Sequence, residues 1–172
     1  MAEENQIADE NQNQNQNQQT EGQQFVIQKI FLKDVSFESP NAPAMFSENS
    51  GAWQPEVNVQ INSANQSIGK DLYEVVLTLT VTAKQNKKTA FLVEVKQAGL
   101  FTLSGFPEEN IAGMLGAYCP ETLFPFAREA VSNLVTNGGF PQLLLSPVNF
   151  NALFTQHMQQ KQAATADQDT AH

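Results

Sequence analysis

The sequence predicts an α+β domain, a four-stranded antiparallel sheet followed by two helices on one face. Three observations predict it. Four stretches between Phe25 and Leu103 place apolar residues at alternate positions, the period of a half-buried strand. After Gly105 the apolar period lengthens to that of a helix. Strands come first and helices last, so no strand–helix alternation calls for a parallel sheet.

The chain has 172 residues, which suits one domain. Residues 1–24 are acidic, and Glu10 to Gln19 is almost only Asn and Gln. Such a stretch has little to bury against the entropy of ordering, so disorder is expected. Order begins at Phe25. In the first strand, alternation puts Asp34, Ser36 and Glu38 on one face and Val35 and Phe37 on the other. Ser39-Pro40-Asn41-Ala42-Pro43 ends it, because proline cannot feed a central ladder. Residues 40–55 then form a long loop carrying Met45, Phe46 and Trp53.

Val57, Val59 and Ile61 alternate with polar residues and predict the second strand. Asn65 to Asp71 turns the chain. In the third strand Tyr73, Val75, Leu77, Leu79 and Val81 oppose Glu74, Thr78, Thr80 and Thr82. After a turn at Lys84 to Lys88, Thr89 to Leu103 form the fourth strand. There Leu92, Glu94 and Lys96 share one face, and Phe91, Val93, Val95 and Gln97 share the other. Ala98-Gly99 is expected to interrupt it with a bulge or bend.

Pro107-Glu108-Glu109 suits the first turn of a helix. Cys119-Pro120 marks a break or a fresh helical start. Leu123, Ala127, Ala130, Val131 and Leu134 follow helical spacing, and Pro125 predicts a start or kink nearby. Asn137-Gly138-Gly139 stops that helix. The last helix starts near Ser146-Pro147 or Asn149. Its stripe is Phe150, Leu153, Phe154, His157 and Met158, with a packing role expected for His157. Residues 161–172 are expected to be a disordered tail, leaving 25–160 as the domain. A sheet of this kind has long edges and an open second face, which oligomerisation would cover.

The net charge is −9, from 18 acids and 9 bases. Five acids and no base lie in residues 1–24, so tails hold most of the imbalance. Nucleic-acid binding is not expected, since it needs a basic patch. Lys84, Lys87 and Lys88 read as a solvated hairpin tip. One cysteine, Cys119, permits no internal disulfide and reads as a small buried hydrophobe. The start lacks the basic and apolar regions of a signal peptide, and no apolar run suits a membrane span. A soluble protein of a reducing cytoplasm is the expectation, without membrane insertion.

Catalysis requires converging titratable groups, and the sequence offers none. Its two histidines, His157 and His172, and Cys119 lie in unrelated contexts, so no zinc site is expected. Gly138-Gly139 lacks the following Lys-Ser or Lys-Thr of a phosphate loop. Asp34 and Glu38 fall about 13 Å apart along a strand, too far for a hydrolase pair. A non-enzyme that requires no cofactor is therefore expected. What remains is surface. Asp34, Glu38 and Glu94 beside Leu92 form either an ordinary solvated sheet face or a docking face. The aromatics of the loop and last helix are either satellites of the core or a groove for extended apolar polypeptide.

A run of motifs resembles the SecB export chaperones of Gram-negative bacteria. It includes Lys33-Asp34-Val35-Ser36-Phe37-Glu38-Ser39-Pro40-Asn41-Ala42-Pro43, Trp53-Gln54-Pro55 and Tyr73-Glu74-Val75-Val76-Leu77. It continues in Thr89-Ala90-Phe91-Leu92-Val93-Glu94-Val95, Leu115-Gly116-Ala117-Tyr118-Cys119-Pro120, Leu123-Phe124-Pro125, Phe140-Pro141-Gln142-Leu143 and Ser146-Pro147-Val148-Asn149-Phe150. The resemblance implies a homotetramer, a dimer of dimers. It implies an ATP-independent chaperone that binds unfolded precursors, keeps them translocation-competent and delivers them to the SecA motor. By motif, Asp34, Glu38, Leu92 and Glu94 would dock the zinc-containing tail of SecA. Val93, Val95 and Gln97 would bear on oligomer assembly. Phe46 and Trp53, with Phe150 and Phe154 nearby, would hold the client. A SecB-like chaperone controlling a toxin–antitoxin pair is the alternative, though that use does not demand the acidic docking set.

Overall fold

In the computed structural model the described residues are 22–47 and 51–169. Of the tails expected to be disordered, residues 1–21 of 1–24 and residues 170–172 of 161–172 lie outside them. Strands β1 (Gln24–Glu38), β2 (Glu56–Gly69), β3 (Leu72–Gln85) and β4 (Lys88–Ser104) form one antiparallel sheet in the order β1-β4-β3-β2. Both central strands alternate between buried and half-buried residues along most of their length. Two tight turns set their register. Asn86 and Lys87, both at positive φ (52° and 64°), join β3 to β4 as a type I′ turn requires. Asp71, at φ 55°, helps join β2 to β3.

The expected interruption of β4 at Ala98-Gly99 is absent. Gly99 pairs with Val75 and Ala98 with Val76 in unbroken register. Gly99 instead makes room: a β-carbon there would lie 2.6 Å from the ring of Phe101 and 3.0 Å from Leu123. Bulges fall elsewhere: on β1, where Gln28 and Lys33 are extra residues against β4, on β4 at Ala90 and on β2 at Ile68.

Because β1 and β2 lie at opposite edges, the segment 39–55 must cross the whole sheet. It contains the short helix α1 (Ala42–Met45). Polar side chains pin both its ends. Ser39 Oγ donates to the Ala90 carbonyl (2.8 Å) and Asn41 Nδ2 to the Thr89 carbonyl (3.0 Å). At the far end, buried Gln85 donates to the Ala52 carbonyl (2.8 Å) and accepts from the Gln54 amide (3.2 Å).

The helices after β4 run almost without interruption. Helix α2 (Glu108–Gly113) passes into a π-helical turn (Met114–Tyr118) and then into α3 (Cys119–Asn137). The widened turn ends where Pro120 cannot donate a backbone bond, which accounts for the break read at Cys119-Pro120. Of the start or kink expected at Pro125, the start is not found: the helix continues through it. Pro125 lies on the exposed side, where water can reach the carbonyl it leaves without a partner. Leu123, Ala127, Val131 and Val135 are fully buried on β3 and β4.

Helix α4 (Phe150–Asp169) continues past the expected end at 160. Lys161-Gln162-Ala163-Ala164 are strong helix formers with no glycine or proline among them. It packs chiefly on the π-turn, while α3 covers most of the sheet and the π-turn reaches β2. The backbone is therefore α+β with one sheet face covered and the other without a helix.

Candidate polypeptide-binding surfaces

The uncovered sheet face gathers the four expected docking residues. Antiparallel register sets Glu38 opposite Leu92, Ser36 opposite Glu94 and Asp34 opposite Lys96. Side chains directly opposite share a face. Asp34, Glu38, Leu92 and Glu94 therefore stand together, as their alternation along the two strands predicts. Lys96 joins them: its Nζ lies 3.4 Å from Asp34 Oδ2 and 3.3 Å from Glu94 Oε1. Glu94 and Asp34 together hold the Lys96 ammonium above the usual lysine range. Thr80 Oγ1 donates to Glu94 Oε2 (3.2 Å). Among the described residues, Glu38 has no ion pair.

A second ion pair on this face is of another kind. Lys33 Nζ donates to Glu74 Oε1 at 2.7 Å, and Gln66 Nε2 donates to Glu74 Oε2 at 2.7 Å. These bonds, Lys33 first, hold the Glu74 carboxyl below its ordinary value despite burial.

The expected assembly residues Val93, Val95 and Gln97 point the other way. They are buried beneath α3 within the single chain, the two valines fully. Strand alternation makes this unavoidable, since Leu92, Glu94 and Lys96 hold the open face.

The four expected client residues divide between two hollows. Phe46 and Trp53 line one of about 140 Å³ with Met45, Gly139, Phe140 and Pro141. Phe150 and Phe154 line a broader groove of about 420 Å³, walled by Ile61 and Ser63 of β2 and by Leu153, His157 and Met158 of α4. Among the described residues the two pairs line separate hollows: Phe46 and Trp53 gather on Phe140, while Phe150 packs on Phe124 of α3. Phe150 offers almost no surface: it is 3% exposed, with its ring 5.6 Å from Phe124. Phe46, at 54%, is the most open of the four. His157, expected to pack, is exposed in the broader groove, because α4 leans on the π-turn through Phe154 and leaves Leu153, His157 and Met158 uncovered.

Phe140, not among the residues expected at a site, lies at the centre of the aromatic hollow. It is buried, and four aromatic rings surround it: Phe46 at 5.0 Å, Phe91 at 5.1 Å, Trp53 at 5.4 Å and Phe37 at 6.4 Å. Its position follows from the end of α3. Gly139 takes φ 86°, the Gly139 amide donates to Thr136 and the Phe140 amide to Val135, a Schellman cap. An apolar residue just after such a cap commonly packs back on the fold, and that signal was available at Gly138-Gly139-Phe140. Cys119 is fully buried, and burial pushes its thiol up to about 12.

A four-stranded antiparallel sheet with helices on one face and the other face open is the fold of a SecB-like chaperone. A SecB-like chaperone of Mycobacterium tuberculosis, solved with a peptide from an antitoxin, matches this fold with a TM-score of 0.59 at 16% identity, over 72% of this chain and 90% of that one. The family model for preprotein translocase subunit SecB matches residues 16–161, and the chain belongs to the SecB family of protein-export chaperones. The protein-export protein SecB of Nitrosococcus oceani is 58% identical over 83% of this chain and 87% of its own. That of Halorhodospira halophila is 52% identical over 84% and 82%. Membership in a family of chaperones is consistent with the expectation of a non-enzyme. No helix among the described residues is long and apolar enough to cross a membrane.

Proposed function

We propose that this protein is a cytoplasmic, ATP-independent holdase that binds unfolded precursors and hands them to the SecA motor. The observation that carries the reading is the aromatic hollow of Phe46 and Trp53 on Phe140, beside a separate acidic sheet face. Unfolded chains expose aromatic and aliphatic side chains that folded ones bury, so an aromatic hollow selects for the unfolded state without reading sequence. Phe46 and Trp53 form the client site, with Phe154 and the α4 groove as a second one. Phe150 supports that groove from beneath. Asp34, Glu38, Leu92 and Glu94 receive the basic, zinc-containing tail of SecA, with the charges raising on-rate and specificity.

A homotetramer, as a dimer of dimers, fits the surfaces left uncovered. The β1 edge leaves Ile27, Leu32 and Val35 exposed, a row suited to a second copy. Val93, Val95 and Gln97 bear on assembly through the seating of α3 on the sheet, since they have no surface of their own. The test is titration with unfolded and native forms of one precursor, then a SecA pull-down. Equal affinity for both forms would sink the holdase reading.

A further inference from the structure

We infer that Lys96 is a built-in counter-ion of the acidic face, which competes with the partner's cations and sets how basic a partner must be to dock there. This rests on the docking reading above and adds its specificity element. Three carboxylates, Asp34, Glu38 and Glu94, define the face, and Lys96 stands between two of them. An arriving ammonium or guanidinium therefore meets occupied acceptors and one like charge.

The geometry separates Lys96 from the neighbouring lysine. Lys33 binds Glu74 at 2.7 Å, and only 11% of that carboxylate side chain is exposed. Charge-assisted bonds of that length are strong, and the pair is a fixed part of the sheet. Lys96 binds at 3.3 and 3.4 Å, with its own side chain 39% exposed and Asp34 59% exposed. Bonds that long between solvated groups are weak, so a multivalent basic partner can displace the ammonium. A weakly basic segment, such as a stretch of unfolded client, gains too little to do so. Lys96 thus keeps clients off the docking face without closing it to a strongly basic tail.

The test compares Lys96→Gln, Lys96→Arg and the double variant Asp34→Asn with Glu94→Gln in the full chain. The probes are full-length SecA and a short oligolysine peptide, each titrated at low and at about 1 M salt. Lys96→Gln should tighten both by about three- to tenfold at low salt, the range two exposed ion pairs support. Oligolysine should gain the larger factor, and both gains should vanish at high salt, where the Debye length is about 3 Å. Lys96→Arg keeps the charge and should bind as the parent does. Unchanged or weaker binding by Lys96→Gln, while the double variant loses SecA, would overturn the counter-ion role and leave the docking face standing. If the double variant binds SecA normally, the docking face falls, and the counter-ion role with it.

Discussion

Gly116 lies directly under the ring of Phe154, so close that a β-carbon there would overlap ring carbons Cδ2 and Cε2. This contact seats α4 on the π-turn. Gly116→Ala should push the ring away and cost about 1–3 kcal/mol, as overpacking does. Combining it with Phe154→Ala should cost less than the two separate losses, because the clash goes with the ring. Thermal melts of the four proteins check this, and simple additivity would count against it.

Phe140 and Phe46 should behave oppositely. Phe140→Ala removes the ring that four others share and should cost about 3–5 kcal/mol, lowering Tm by on the order of 10 °C. Phe46→Ala removes a ring more than half exposed and should cost less than about 1 kcal/mol. It should still weaken client binding severalfold. Melting curves read the first difference, and titration with an unfolded precursor reads the second.

Trp53 is the only tryptophan, so intrinsic fluorescence reports the aromatic hollow. Adding an unfolded polypeptide should shift or quench its emission. Leu153→Ala with Met158→Ala, in the other groove, should leave the size of that change at saturation intact. An emission blind to client would place the site elsewhere.

The Lys33–Glu74 pair should shape the acid limb of stability. Glu74 has a lowered pKa when folded, so its contribution is present above the ordinary value near 4.5 and is lost as pH falls through the lowered one. Glu74→Gln should cost about 1–2 kcal/mol at neutral pH. The two proteins should converge in the acid range, where the parent's carboxylate is also protonated. Denaturation midpoints measured down that range test the sign.

Lys87 occupies a left-handed turn position that costs a side chain. Lys87→Gly makes the turn Asn-Gly, the favoured type I′ pair, and should raise stability by about 0.5–1 kcal/mol. A lower melting temperature would show that the lysine stem packs in a way the turn geometry does not reveal.

Much of the fold was legible because its signals are local. Period-two alternation named the faces of β3 and β4, and the acids on β1 and β4 fell where it put them. Three misreadings had a common origin. Ala98-Gly99 reads locally as a bulge, Pro125 as a helix start and the last helix as one that ends at 160. Each was judged by local propensity. The close approach of Leu123 from α3, with the ring of Phe101 beside it, decides the first. Solvent access at Pro125 decides the second. The Ala-Gln run in α4 shows that a polar composition fit for a tail also has the propensity for helix.

By itself the sequence determined which side of each strand would be apolar, because alternation is a property of a single extended backbone. It also determined the helix stop at Gly138-Gly139, which depends on one left-handed residue. Only the tertiary structure decided that β1 lies beside β4, which places Asp34 across from Lys96. It alone divided Phe46 and Trp53 from Phe150 and Phe154, and gathered four rings, Phe37, Phe46, Trp53 and Phe91, around Phe140. Those pairings join residues far apart in sequence, and their free energy depends on strand order and packing that no local pattern encodes.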